Sequence, residues 1–208
     1  SEFNAAKGEA LLARAYAHFE LANTFCLAYN PTTSSTDLGI PYITRPEEEM
    51  NPQRQRGTVA QVYEQIAADL QEGLPLIDDS YYQMPKYHFN KKAAYAFAAR
   101  FYLYYQQWQK ALDAANVVLS TNDATTEGLL RNWSDFTDAR KTGGKVFGRF
   151  AIYYTNERIN ANLLLLPVSS EISETYFTPY TRFVHNKRTN GEETLVTANL
   201  WYPQRQPN

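Results

Sequence analysis

The first part of the chain repeats apolar residues at intervals of three or four positions. The members of this set are Leu12, Ala15, Phe19, Ala22 and Cys26. The spacing places them on one face of an α-helix and predicts a first helix over residues 5–27. This helix is expected to end before Pro31, because a proline biases the preceding residue away from helical geometry.

A second helix is predicted over residues 58–74. Its apolar positions are Val59, Val62, Ile66, Leu70 and Leu74. Thr58 and Gln61 stand three residues apart at its start and predict a capping box, in which each side chain binds the other residue's backbone amide. Three of its polar residues, Gln65, Asp69 and Glu72, are predicted to face water.

Residues 91–119 predict two further helices, joined by a tight turn at residues 105–108 and capped at the start by Asn90. Small and aromatic residues recur here in the pattern of a tetratricopeptide repeat, a helix-turn-helix unit of about 34 residues. The pattern consists of Ala99, Tyr102, Trp108, Ala111, Ala115 and Val118. The alanines leave no bulk where the two helices cross, and Tyr102 and Trp108 are expected to fill the remaining groove.

The other side of the first of these helices is apolar as well. It carries Ala94, Phe97, Phe101 and Tyr104. A helix that is apolar on both sides must be covered on both sides. We therefore expect this repeat to pack against other helices, and residues 5–27 and 58–74 are predicted to form such a second pair.

A long insertion separates the first two helices. Residues 29–57 contain four prolines, and an irregular connection of this length typically carries function or packs as a substantial loop. Its centre, DLGIPYIT at residues 37–44, predicts a turn and then a short extended piece, with Gly39 giving backbone freedom. The acidic run at residues 47–49 is predicted to be a solvated loop, since a calcium site needs more oxygen ligands at regular spacing.

The pattern changes after residue 123. Turn-forming residues become frequent, and partial alternation over residues 146–154 and 195–202 predicts extended segments. We therefore expect a mainly α fold in a single domain. Residues 1–124 would form its helical region, with the insertion inside it, and residues 125–208 an irregular region of loops and short strands.

Composition excludes several classes of protein. The 208 residues carry a formal net charge of -2, and the basic residues are scattered rather than arranged in the stripe that a nucleic-acid groove needs. The run of four leucines at residues 163–166 is far shorter than a membrane span. The single cysteine, Cys26, excludes an internal disulfide and a cysteine-based zinc site, and its position predicts a buried small hydrophobe.

The motifs of common enzymes are missing from the sequence. His18, His88 and His185 are far apart, without the His-Glu-x-x-His spacing of a zinc protease. His18 is predicted to be a half-buried surface residue, and no metal or cofactor is expected. A glycosidase needs only two placed carboxylates, so this possibility stays open. The available acids are Asp135, Asp138, Glu157 and Glu171.

Several segments together resemble one family. They are EALLARAYAHF at residues 9–19, DLGIPY at residues 37–42, TVAQVYEQIAADL at residues 58–70, and Asn90-Lys91 leading into the repeat. In this order they resemble the SusD/RagB family, the outer-membrane nutrient-binding lipoproteins of gut and oral Bacteroidetes. The resemblance covers residues 5–120 well and continues loosely at 156–157 and 168–176. Family members are longer, so we expect this chain to be partial.

The resemblance implies a location and partners. Members are cell-surface proteins of polysaccharide utilisation, anchored in the outer membrane by a lipid on a cysteine near the N-terminus. Their tetratricopeptide-like helices pack against a TonB-dependent, SusC-like transporter, and a loop-rich second part binds oligosaccharide or oligopeptide. The members are not enzymes.

Candidate ligand-binding residues lie in the irregular C-terminal part. Sugar sites combine flat aromatic faces with polar side chains that satisfy the hydroxyl groups. The candidates of these types are Tyr180, Arg182, Asn190, Trp201 and Tyr202. Tyr81 and Tyr82 are predicted to form a further exposed pair, for which binding of ligand and contact with a neighbouring element are equal alternatives. A protein-binding scaffold and a hydrolase are the alternatives, but a pure repeat scaffold has short, regular turns.

Overall fold

The computed structural model describes residues 3–46, 48–50, 52–119, 126–131 and 156–165. The α-helices of this part are α1 (Asn4–Phe25), α2 (Val59–Gly73), α3 (Lys91–Tyr104) and α4 (Trp108–Val118). Three short 3-10 turns connect α2 to α3, at Leu74–Leu76, Asp79–Tyr81 and Pro85–Tyr87. The predicted mainly α fold is therefore confirmed. The predicted irregular region after residue 124 falls largely outside the described residues.

Helices α1 and α2 pack against each other and run antiparallel. Their direction follows from two ion pairs, since Lys7 lies beside Glu72 and Arg14, further along α1, lies beside Asp69, earlier in α2. Two glycines allow the close approach. A Cβ atom on Gly8 would lie 3.0 Å from the Gly73 carbonyl oxygen, tighter than ordinary van der Waals contact. The long insertion thus joins two helices that form one pair, as predicted.

An aromatic core lies between this pair and α3. Phe19 of α1 contacts Phe97 and Phe101 edge to face, with ring centroids 5.7 and 5.9 Å apart. Tyr63 of α2 stacks on Phe101 at 5.6 Å. Such pairs add to the free energy gained by burying the rings. The core of the described residues therefore covers one side of α3, while α4 covers another.

Helices α3 and α4 form the predicted helical hairpin, with Asn90 as the N-cap of α3. In the turn Gln106 adopts a positive φ of 59°, and the Gln107 amide donates to the Tyr102 carbonyl oxygen at 2.9 Å. Positive φ is uncommon for a residue with a side chain. The turn therefore holds one strained residue between two regular helices.

The prediction that Trp108 fills the groove between α3 and α4 is wrong, because this side chain is 61% exposed. The buried residues of α4 are Ala114 and Val118, with Ala111 partly buried beside them. At about 100° per residue, the centre of that face lies roughly a quarter turn from Trp108. Tyr104 is also more exposed than predicted, at 46%.

The capping box at the start of α2 is present as predicted. The Thr58 side chain accepts a hydrogen bond from the Gln61 amide, and the Gln61 side chain accepts one from the Thr58 amide. Just before it, Leu38 of the insertion forms an antiparallel bridge with Thr58. Cys26 follows α1 and is half-buried against the core, so it is less buried than predicted.

Candidate functional site

The residues predicted to bind ligand lie outside the described part of the chain. This holds for Tyr180, Arg182, Asn190, Trp201 and Tyr202, so their role stays a prediction. Of the carboxylates considered for a glycosidase, Glu157 is described and lies 4.0 Å from the Arg158 guanidinium in an exposed turn. A cluster of part-buried polar side chains lies beneath the insertion, within the described residues.

Four polar side chains, Arg14, His18, Tyr42 and Asp69, form what we call the insertion cluster. Asp69 of α2 is its centre and is only 5% exposed. Arg14 of α1 donates two hydrogen bonds to the two carboxylate oxygens, at 2.7 and 2.6 Å. The Tyr42 hydroxyl donates a third, at 2.7 Å. The buried carboxylate is thus paired with a cation and satisfied by three donors, as burial of a charge requires.

The prediction that Asp69 faces water is therefore wrong. Arg14 reaches Asp69 across the helix pair, and Tyr42 covers it from the insertion. The hydrogen bond to Asp69 raises the pKa of Arg14. Burial raises the pKa of Tyr42, and its hydrogen bond to Asp69 raises it further. Tyr42 consequently remains a neutral donor over the physiological pH range.

His18 is the second link between α1 and the insertion. Its Nε2 atom accepts a hydrogen bond from the Ile43 amide at 2.9 Å, and its Nδ1 atom lies 2.8 Å from the Arg14 carbonyl oxygen. These partners define a neutral ring protonated on Nδ1, which donates to that carbonyl. The Tyr42 ring stacks on it, with centroids 3.9 Å apart. His18 is 7% exposed, so its prediction as a surface residue is wrong.

The remaining anchors of the insertion also hold its backbone. Arg14 donates to the Thr44 carbonyl oxygen at 3.0 Å, and Arg56 donates to the Gly39 carbonyl oxygen at 2.6 Å. The Gly39 amide donates to the Gly57 carbonyl oxygen at 2.8 Å. Together these bonds place residues 38–44 directly against α1 and α2.

A second polar group lies at the other end of α1. The Glu9 carboxylate accepts hydrogen bonds from His88 Nδ1, at 2.9 Å, and from the Phe89 amide, at 3.3 Å. The Tyr82 ring stacks on His88 with centroids 4.3 Å apart. Burial raises the pKa of Tyr82, and Glu9 raises it further. Tyr81 is 53% exposed and Tyr82 is buried, so the predicted exposed pair is half right.

The segment at residues 156–165 is held by the loop that precedes α3. Lys86 donates to the Ile159 carbonyl oxygen at 2.8 Å, and the Leu165 amide donates to the Lys86 carbonyl oxygen at 2.7 Å. The Asn90 side chain caps α3 and also donates to the Leu163 carbonyl oxygen at 2.7 Å. Burial lowers the pKa of Lys86. These bonds attach residues 156–165 to the helical region.

The geometry of both polar groups fits anchoring rather than catalysis. In the insertion cluster each side chain is already engaged by a protein partner. Over the described ranges, no three His, Cys, Asp or Glu side chains come together in a way that could hold a metal ion. The helices that the structure describes are all too short or too polar to cross a membrane.

Comparison with known proteins identifies relatives of the helical region. A SusD-like family profile, described as "Starch-binding associating with outer membrane", matches residues 1–103. No curated protein matches the chain.

Three crystal structures are similar to this chain over about two thirds of its length. A SusD superfamily protein from Bacteroides thetaiotaomicron VPI-5482 is 30% identical, with a TM-score of 0.53 over 65% of this chain and 28% of its own. A SusD superfamily protein from Bacteroides vulgatus ATCC 8482 is 31% identical, with a TM-score of 0.51 over 65% and 30%. A SusD-like carbohydrate binding protein from the same organism is 26% identical, with a TM-score of 0.51 over 64% and 27%. The chain thus spans under a third of the length of these relatives.

Proposed function

This chain is a SusD-like protein, and we propose that it is part of a cell-surface subunit that binds glycans for an outer-membrane uptake system. The match of residues 1–103 to a family described as starch-binding and associated with the outer membrane carries the proposal. One similar structure is described as a carbohydrate binding protein. Both descriptions name the binding of a carbohydrate.

We place the glycan site in the C-terminal part of the chain. Tyr180, Trp201 and Tyr202 supply flat aromatic faces for the apolar face of a sugar ring, while Arg182 and Asn190 supply donors and acceptors for its hydroxyl groups. Two groups of described residues are unsuited to the role, because the core aromatic rings pack against each other and the polar groups of the insertion cluster are engaged by protein partners.

The subunit is proposed to be non-catalytic and to act with a SusC-like, TonB-dependent transporter, which would contact the helical region. A lipid anchor in the full-length protein would hold it at the outer membrane. The glycan would then be captured at the surface and passed to the transporter without cleavage. Co-purification of the full-length protein with a transporter expressed in the same cell tests this part. A transporter that elutes separately would contradict it.

Calorimetric titration of the 208-residue chain against a panel of soluble glycans tests the binding function. We expect binding in the micromolar to millimolar range, and no shortened products by chromatography. Trp201→Ala should weaken binding, whereas Trp108→Ala is a matched control, because Trp108 is exposed on α4. Equal binding by both variants would contradict the C-terminal site.

Two other outcomes would point to the alternative functions. The release of shorter oligosaccharides would favour a hydrolase. The absence of heat with every glycan would contradict glycan binding by this chain. A panel of oligopeptides would then test the other nutrient class, and a scaffold would bind neither panel.

A further inference from the structure

We propose that His18 is an acid-sensitive latch, which holds the insertion against α1 when neutral and releases the Ile43 amide when protonated. The proposal does not depend on the ligand that the protein binds. It rests on which ring nitrogen of His18 donates and which accepts. Those roles follow from the two partners on either side of the ring.

The partners require a neutral ring. The Ile43 amide can only donate, so Nε2 of His18, 2.9 Å away, must accept and carry no proton. The Arg14 carbonyl oxygen can only accept, so Nδ1, 2.8 Å away, must carry the proton. A proton added to Nε2 would turn the acceptor into a second donor facing the Ile43 N–H. The hydrogen bond between α1 and the insertion would then be lost.

The surroundings do not compensate a charged ring. On its own helix His18 is preceded by Arg14, whose carbonyl oxygen it contacts and whose guanidinium, a permanent cation, binds Asp69. From the insertion it faces Tyr42, a neutral hydroxyl-bearing ring stacked on the imidazole. The one anion of the cluster, Asp69 of α2, is already engaged by Arg14 through both carboxylate oxygens. A protonated His18 would thus be a buried cation in a cluster whose one carboxylate is already paired with another cation.

The release should be confined to one end of the loop. Of the contacts made by residues 41–44, the Ile43 amide bond and the ring stacked on Tyr42 depend on His18, whereas the Tyr42 hydroxyl stays bound to Asp69 and the Thr44 carbonyl oxygen to Arg14. Gly39 is held separately, by its bond to Gly57 and by Arg56. Ile40 is buried in the core. The loss of protection should therefore be centred on the Ile43 amide, while residues 38–40 stay in place.

Nuclear magnetic resonance of the 208-residue chain tests the latch. The protonation state of the His18 ring is followed from about pH 8 to about pH 4.5. Over the same range we measure the exchange protection of the Ile43 and Gly39 amides, corrected for the intrinsic exchange rate at each pH. We expect the protection of Ile43 to fall at least about tenfold in step with protonation of His18, while the Gly39 amide stays protected. Unchanged Ile43 protection on a protonated His18, or a ring that stays neutral throughout, would overturn the proposal. So would parallel loss at Gly39, which indicates general unfolding.

A pair of variants separates the latch from other effects of acid. His18→Gln can keep a side-chain acceptor near the Nε2 position but does not titrate, so its Ile43 protection should be independent of pH. His88→Gln removes the histidine of the other polar group and should keep the acid response of the wild type. An acid response that persists in His18→Gln, or disappears in His88→Gln, would overturn the assignment.

Discussion

The Arg14 guanidinium and the Asp69 carboxylate meet in a two-bond pair, with N–O distances of 2.7 and 2.6 Å. The pair joins α1 to α2 across 55 residues of sequence. Asp69 is buried, whereas the Arg14 side chain keeps 28% of its surface exposed. Because Tyr42 binds the same carboxylate, one buried charge connects two helices and the insertion.

Removing that charge should destabilise the helical region. In Asp69→Asn the guanidinium loses its anion, and we expect the free energy of unfolding to fall by about 2 kcal/mol, less than for a fully buried pair. Urea unfolding monitored by circular dichroism measures it. Glu72→Gln is the control, since it removes the exposed Lys7–Glu72 pair and should change little. An equal loss in both variants would contradict a special role for the buried pair.

Gly39→Ala should disturb the contact between the insertion and α2. The added Cβ would lie 2.5 Å from the Thr58 carbonyl oxygen and 2.8 Å from Val62 Cγ2. Overpacking of this kind costs about 1–3 kcal/mol of the free energy of unfolding. At Gly57 the Cβ would be closest to the end of the Gln61 side chain, at 2.7 Å. Gly57→Ala should therefore cost less in the same urea experiment, and the reverse order would count against the described packing.

The contribution of the capping box can be tested with one substitution that removes the Thr58 hydroxyl group and one that keeps it. Thr58→Ala leaves the Gln61 amide without its acceptor and should lower the free energy of unfolding by about 1 kcal/mol. Thr58→Ser keeps the hydroxyl group and should restore most of the loss. Thermal or urea unfolding of the wild type and the two variants measures both effects. If serine were no better than alanine, the hydroxyl would not be the stabilising group.

Buried tyrosines predict a loss of stability in alkali. Burial raises the pKa of Tyr63 to about 12, and the pKa values of Tyr42 and Tyr82 are raised as well. A pKa above the unfolded value of about 10 means that the stabilisation is complete below pH 10 and is lost as the pH rises further. Urea midpoints should therefore fall from about pH 10 towards pH 12. In Tyr63→Phe the fall should be shallower, and an identical slope would contradict the prediction.

Local sequence patterns predicted the helices because their signals lie within a few residues. The helix pair at 91–119 follows from apolar spacing, and the cap of α2 from Thr58 and Gln61, three residues apart. Trp108 shows the limit of this reasoning. Spacing along a repeat identifies a position, but the exact face that meets α3 depends on the rotation of α4.

The insertion cluster could not be predicted for a different reason. In the sequence Asp69 stands among the polar positions of α2 that are expected to face water. Its partners, Arg14 and Tyr42, lie 55 and 27 residues away. Periodicity describes one helix at a time and contains no information on which charge lies opposite. His18 was missed in the same way, because its burial depends on the backbone of Ile43. The DLGIPY segment was the one local sign that this loop is special.

The bonds that fix the insertion mostly hold its main chain: His18 binds the Ile43 amide, Arg14 the Thr44 carbonyl oxygen, and Arg56 the Gly39 carbonyl oxygen. Main-chain groups are the same for nearly every amino acid. Ile43 and Thr44 can therefore be replaced over evolutionary time without losing these attachments. A loop anchored in this way can diversify its outer surface between relatives while its path over the helices is inherited unchanged.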